Sequence, residues 1–293
     1  MIRVRVPATT ANLGPGFDTL GLALTMYNVF SFEEIDEGLE IIGVPDKYNN
    51  KDNLTYRAMI KTFEKLTYKN KGIKISAKIE IPVSRGLGSS ASCIVAGIVG
   101  ANAIAKGNLD REDVLKIATE IEGHPDNVAP AIFGGLIVSL IDEGKILYNK
   151  FDISGGFKFT ALIPDFTLST EDARSALPQE INYKKAVDNV GRVSMLLSAL
   201  ANGRLDLLKY SLKDNLHQPY RGELIDDYFS IIKKSQELGA LGCYLSGAGP
   251  TIMCLVEEGS QKFNEHISSY LSTLDYNWNV RDLELDKEGF KLL

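Results

Sequence analysis

The segment Pro82-Val83-Ser84-Arg85-Gly86-Leu87-Gly88-Ser89-Ser90-Ala91-Ser92 concentrates glycine and serine where a strand gives way to a helix. Before it, Ile73, Ile75, Ala77, Ile79 and Ile81 alternate with Lys74, Ser76, Lys78 and Glu80, which predicts a half-buried strand over 73–81 that Pro82 ends. After it, residues 90–105 are apolar on every side, which predicts a buried helix. Gly86 and Gly88 permit backbone conformations and close approaches denied to other residues. The free N–H groups and dipole at a helix start attract phosphate. Serine hydroxyls add neutral donors and a hard-oxygen ligand of the kind magnesium takes. None of this requires a lysine.

Three readings of that loop compete. The Walker pattern fails, because no lysine follows the glycines. The dinucleotide fingerprint is formally met by Gly86, Gly88 and Ala91. It also asks for an acidic residue at the end of the next strand, whereas the first acid here is Asp110, which reads as a helix cap. A tight turn with no ligand remains, and the double serine and missing side-chain bulk weigh against it.

Other candidates lie in loops. Glu122, Gly123, His124, Pro125, Asp126 and Asn127 form a second loop after a helix capped by Asp110, with Val114, Ile117, Ala118 and Ile121 on one face. Glu122 alone would read as a solvated helix-end acid, with Glu120 as its rival two residues away. Ser246-Gly247-Ala248-Gly249-Pro250 joins two strands, 241–245 and 252–256, and by itself is a hairpin turn. Residues 9–18 are rich in turn formers and follow a short strand, Ile2 to Val6.

The elements that must position these residues mix strands and helices without a strict βαβα rhythm, which predicts an α+β fold. Further strands are expected at 28–35, 39–44, 136–141 and 157–163. Helices are expected at 54–67 with Asn53 as N-cap, and near 186–201, 204–214 and 223–238. Asp152, Ser154, Gly155 and Gly156 suggest a boundary, giving domains over 1–153 and 154–293. A chain of 293 residues suits two packed domains. A formal net charge of −6 argues against gripping nucleic acid or an anionic membrane. The longest uncharged run, Gly86 to Ala105, opens with a loop, and its helical part is shorter than the ~20 residues of a membrane span. No leader segment is expected at Met1-Ile2-Arg3-Val4-Arg5-Val6, and a cytoplasmic location follows as an expectation. Cys93, Cys243 and Cys254 have no metal-site spacing and read as small core residues.

Pro82 to Ser92 resembles the central motif of the GHMP kinases, in which a proline precedes Gly-Leu-Gly-Ser-Ser-Ala. Pro7-Ala8-Thr9-Thr10-Ala11-Asn12-Leu13-Gly14-Pro15-Gly16-Phe17-Asp18 is similar to the N-terminal motif of that family. Ser246 to Thr251 is similar to its C-terminal glycine loop. Within the family, the first motif, Glu122 to Pro130 and His217-Gln218-Pro219-Tyr220-Arg221 look most like the homoserine-phosphorylating members.

The resemblance implies a ribosomal-protein-like N-terminal domain packed on a ferredoxin-like C-terminal one, with the site between them. It implies ATP and Mg2+, and transfer to the hydroxyl of L-homoserine on the way to threonine. A mevalonate-type acceptor is the alternative, and a non-catalytic ligand sensor is a third reading. By the same resemblance, Pro82 to Ser92 with Gly247 and Gly249 cradles the phosphates, and Ser90 and Glu122 hold magnesium. Asn127 orients the acceptor hydroxyl, with Asp126 as a rival base. Thr170, Arg174 and Arg221 take the acceptor carboxylate, while Asn12 and Asp18 take its ammonium and hydroxyl end. His124 either contacts the acceptor or bonds to backbone. Asn53 and Val83 or Ser84 line the adenine pocket. A homodimer is left open.

Overall fold

The computed structural model describes residues 1–260 and 262–293. The chain opens with β1 (Ile2–Ala11), β2 (Leu20–Ile35) and β3 (Gly38–Ile42). Helix α1 (Leu54–Lys65) and β4 (Gly72–Lys78) follow. Next come the helices α2 (Ser89–Ile104), α3 (Arg111–Glu122) and α4 (Pro125–Phe133), then the hairpin β5 (Leu136–Asp142) and β6 (Lys145–Phe151).

Two threonines show where the sequence pattern misleads. Thr9 and Thr10 are fully buried strand residues, not loop. β1 is covered on both faces there, so the alternation that marks a half-exposed strand is absent. The second loop is also shorter than expected, because Asp126 and Asn127 lie in the first turn of α4. Pro125 opens that helix at N1, where its missing N–H costs nothing, but Pro130 sits inside it and hides it from a pattern search.

The first sheet runs β11-β1-β2-β4-β3, where β11 is Lys291–Leu292. β2 forks: its start, Leu20–Leu22, pairs with β5, and its end, Val29–Ile35, pairs with β4. Only β3 and β4 run parallel. Helices α1 to α4 cover one face through Phe30, Phe32, Met59, Phe63, Ile94, Ile98, Val128 and Ile132.

The second half begins with β7 (Phe157–Pro164), then α5 (Thr170–Ser175), α6 (Tyr183–Asn202), and the short helices α7 (Leu208–Ser211) and α8 (Gln218–Arg221). Helix α9 (Tyr228–Glu237), β8 (Gly242–Leu245), β9 (Ile252–Glu257), α10 (Lys262–Leu271) and β10 (Trp278–Leu283) complete it. The helix expected over 204–214 is broken, a 3-10 turn at Leu205–Leu207 preceding α7. The helix expected over 223–238 starts only at Tyr228, because Asp227 is left-handed at φ 60°.

These strands form an antiparallel sheet in the order β10-β7-β9-β8. One face carries α9 and α10 through Tyr228, Ile231, Phe263 and Ile267. The other carries α6 and also meets the first sheet: Phe159, Tyr244, Met253 and Leu196 share a cluster with Ala8, Leu22, Leu24 and Leu136. The halves are joined through a common apolar seam, and a cleft of about 490 Å³ opens at one end of it.

Candidate active site

Helix α2 starts at the cleft with no side chain capping it. Its N-cap, Gly88, is left-handed at φ 70°, so the first amides have neither an intrahelical partner nor a capping oxygen. Gly86 and Gly88 are needed for room as well as for angle. A Cβ on Gly86 would stand 2.1 Å from the Ser246 carbonyl oxygen, and one on Gly88 would stand 1.9 Å from Thr9 Oγ1. The phosphate-loop candidate is thus pressed between β1 and the loop joining β8 to β9. Ser246 Oγ donates to Gly86 O at 2.6 Å, and Gly247 N to Ala11 O at 3.1 Å.

Residues 82–92 divide into two sets. Val83, Ser84, Arg85, Gly86, Gly88, Ser89 and Ser90 line the cleft, as do Gly247, Ala248 and Gly249. Pro82, Leu87, Ala91 and Ser92 put no side chain on it, and of these only Ala91 has a main-chain amide at the open start of α2. Leu87 and Ala91 are fully buried core residues, and Ser92 Oγ accepts from Asn28 Nδ2 and donates to Ser89 O. Pro82 does not end the strand, which stops at Lys78, because the Glu80 and Ile81 amides turn to the Asn28 side chain instead of a neighbouring strand. The Arg85 guanidinium is taken up by main-chain carbonyls: Nε donates to Pro164 O (3.0 Å), Nη1 to Val83 O (2.8 Å) and Nη2 to Asp165 O (2.6 Å).

Beyond the loop, Val44, Pro45, Tyr48, Leu54 and Ile79 give the cleft lining an apolar part; the sequence places Val44, Leu54 and Ile79 in a strand, a helix and a strand but assigns none of the five to a site. Asn53 belongs to this wall, but both ends of its amide are occupied. Oδ1 caps α1 at Thr55 N and Tyr56 N, and Nδ2 donates to Tyr48 O at 2.9 Å. These bonds tie Asn53 to α1 and to the Tyr48 segment of the same wall.

Ser90 Oγ donates to Glu122 Oε2 at 2.7 Å. The end of α3 supplies the carboxylate, and Gly123, at φ 94°, turns the chain away from it. Glu120 points elsewhere, paired with Lys61 (3.2 Å) and Lys65 (2.9 Å). Burial pushes the Glu122 carboxyl above its ordinary value. A hydroxyl and a carboxylate this close are hard donors that fit magnesium, which takes few ligands from protein.

Asp126 is buried, and His124 Nδ1 bonds its Oδ1, which holds the imidazole above the ordinary histidine value. Thr9 Oγ1 donates to Asn127 Oδ1 at 2.8 Å, and Asn127 Nδ2 points to Asp126 Oδ1 at 3.4 Å. That pattern leaves Asn127 its NH2 as the end available to a ligand. The contact ties it to β1, a link nothing in the local sequence signals.

Asn12 and Asp18 are both left-handed, at φ 72° and 52°, and Asp18 N donates to Asn12 Oδ1. Asn12 Nδ2 donates to Gly247 O at 2.9 Å. Arg174, near the end of α5, makes a two-pronged contact with Asp18, both arms at 3.2 Å. Arg221, at the end of α8, is 2% exposed and donates to Ala173 O and Gly247 O at 3.1 Å each. Burial brings its pKa down to about 10. Thr170 begins α5 at the same wall. An acid and two arginines therefore share one cleft lining with the uncapped helix start, together with Glu122, His124, Asp126 and Asn127.

Two family models match. The GHMP kinases N terminal domain covers residues 53–135, and the GHMP kinases C terminal domain covers 196–266. A homoserine kinase of Clostridium botulinum is 53% identical over 289 residues, 99% of this chain and 97% of that protein. A homoserine kinase of Clostridium beijerinckii is 50% identical over 294 residues, 100% of this chain and 99% of that protein. The crystal structure of homoserine kinase from Cytophaga hutchinsonii superposes with TM-score 0.87 at 28% identity, covering 100% of this chain and 97% of that one. The L. major mevalonate kinase in complex with R-mevalonate shares the fold alone, with TM-score 0.76 at 19% identity, covering 96% and 95%. With the uncapped helix, the glycine loop against it and matches to both halves, the chain belongs to the GHMP kinase family.

Proposed function

We propose that the protein transfers the terminal phosphoryl group of ATP to the hydroxyl of L-homoserine, giving O-phospho-L-homoserine and ADP on the route to threonine. The observation that carries this is the Asp18–Arg174–Arg221 group on the cleft that holds the α2 N-terminus. An acid beside two arginines complements a zwitterionic amino acid: Asp18 suits the ammonium, and the guanidinium forks suit the carboxylate. An acceptor without an amino group would leave Asp18 with no ligand charge to meet.

Phosphoryl transfer is largely positioning and charge neutralisation, and the lining supplies both. The free amides at Ser89 to Ala91 face the phosphates, and Gly247 to Gly249 closes against them. Val44, Pro45, Tyr48, Ile79 and Val83 offer an apolar slot for a purine. Ser90 and Glu122 would hold magnesium, which neutralises phosphate charge when bound. Asn127 donates toward the reacting oxygens, and the His124–Asp126 pair stands beside it as the candidate proton acceptor. We also assign residues 1–153 to the nucleotide half and 154–293 to the closing half. Supporting that division, β6 ends in the first sheet and β7 begins the second, while β11 returns to pair with β1.

An acceptor panel tests the function. Purified protein with magnesium-ATP should consume ATP with L-homoserine far faster than with mevalonate, galactose or shikimate, and equal rates would refute the assignment. Asp18→Asn should raise the KM for homoserine strongly while leaving the KM for ATP nearly unmoved.

A further inference from the structure

Arg221 presents an electrostatic puzzle. Its guanidinium is buried, and among the described residues no carboxylate lies within ion-pair distance of it. The two bonds it makes go to main-chain carbonyls; Asp18, Asp126 and Asp214 act on it only from beyond ion-pair distance, and Arg174 adds like charge nearby. A buried cation without a direct carboxylate partner is costly. What lies against it is an aromatic ring. Arg221 Cζ lies 5.0 Å from the Phe17 ring centroid, and Arg174 Cζ lies 6.0 Å from the same centroid. Phe17 is not part of the cleft lining.

The geometry points to Phe17 as a positioning residue whose ring holds Arg221 and Arg174 side by side, ready for an acceptor carboxylate; this rests on the amino-acid acceptor reading above. The negative face of an aromatic ring attracts cations without using their N–H donors. Arg221 thereby keeps Nη2 for a ligand, while Arg174, whose Nη1 and Nη2 already meet Asp18, keeps Nε and the outer hydrogens of its fork.

The ring is itself held. His217 stacks on it, with centroids 5.1 Å apart and planes at 22°. His217 is fully buried, and its Nε2–H donates to Gly14 O at 2.8 Å, which fixes the imidazole between the first motif and α8. Nδ1 has no partner. Asp214 anchors the turn that presents it, accepting from the amides of Leu216, His217 and Gln218. Burial keeps the imidazole below the ordinary histidine value, which suits a stack that must not add a third cation.

Fluorination separates this role from simple space filling. Phenylalanine carrying one, two or three ring fluorines keeps nearly the same shape while its face loses negative potential. With each installed at position 17, binding of L-homoserine and of ATP is measured by calorimetry. Homoserine affinity should fall stepwise, by about fivefold with three fluorines, while ATP affinity stays constant. Phe17→Leu should weaken homoserine at least as much, and Phe17→Tyr should restore it. Homoserine binding indifferent to fluorination, or equal weakening of both ligands, overturns the proposal alone. Parent protein that binds ATP but no homoserine overturns the acceptor reading and this proposal with it.

Discussion

At the residue scale, the Ser90–Glu122 contact is the most exacting feature of the cleft, because its two oxygens answer to different elements, the start of α2 and the end of α3. Ser90→Ala removes a hydroxyl and leaves the helix intact, since alanine is a good helix former. Turnover should fall by on the order of a hundredfold or more with little change in melting temperature, if the loss of one preorganised oxygen acts as such losses do elsewhere. Near-normal turnover would remove Ser90 from the metal site. His217 permits a pH prediction whose sign is fixed by burial. Its folded-state pKa is held below the unfolded value, so the unfolded chain takes up the proton first as pH falls. Stability is then lost on going down through the ordinary histidine range near 6.5. His124 has the opposite sign: its value is raised by Asp126, so its contribution is present at low pH and is lost as pH rises past that raised value. Glutamine at position 217 can still donate to Gly14 O but does not titrate. The melting temperature of His217→Gln should therefore fall less steeply than the parent's between about pH 6.5 and 5, with the His124 term cancelling in the comparison. Parallel curves would show that the buried imidazole carries no such coupling.

At the element scale, what could be read from the sequence was whatever is encoded locally. Asn53 and Asp110 cap α1 and α3 through their own side chains, and the alternation before Pro82 belongs to β4. The glycine, serine and asparagine residues of the cleft are legible for the same reason: at fixed spacing they mark a backbone that does something unusual. What stayed hidden depends on partners far along the chain. α4 contains Pro130, whose lost hydrogen bond would fall on Asp126 O. That carbonyl packs so close to Gly21 that a Cβ there would meet it at 1.6 Å. Phe17 was visible in its motif without a role, because the arginines that meet it lie more than 150 residues away. The apolar arm from Val44 to Tyr48 gave no signal, as an adenine slot needs shape more than special residues. Long-range closeness also makes a prediction about the loop. Gly86 is left-handed at φ 75°, and its missing Cβ is where Ser246 O sits, 2.1 Å away. Gly86→Ala combines backbone strain of about 1–3 kcal/mol with displacement of the glycine loop. Nucleotide affinity, measured by calorimetry, should drop at least tenfold, accompanied by a lower melting temperature. Unaltered affinity would mean that the two loops need not meet for ATP to bind.

At the scale of the whole molecule, the cleft is a seam, and its two sides are held by different forces. Deep in the seam the sheets share an apolar cluster that includes Leu22, Leu24, Phe159 and Met253, an attraction that is strong and indifferent to direction. At the mouth the contacts are polar and directional. Arg85 crosses from the phosphate loop to the end of β7 through Pro164 O and Asp165 O, while returning to its own loop at Val83 O. Thr251 N donates back to Arg85 O at 3.3 Å. Such a bridge should matter more for where the loop sits than for whether the protein folds. The three acceptors are main-chain carbonyls near solvent, which water can satisfy when the guanidinium is gone. Arg85→Ala should therefore cost only about 1 kcal/mol of stability. Freed from β7, however, the segment Val83 to Gly86 loses its anchor to the closing half. The KM for ATP should rise severalfold while the KM for the acceptor, which we assign to Asp18, Arg174 and Arg221, stays close to that of the parent. Arg85→Lys should recover only part of the loss, since one ammonium cannot reach three divergent carbonyls. A variant that melts like the parent and binds ATP like the parent would show that the apolar seam alone sets the cleft's geometry.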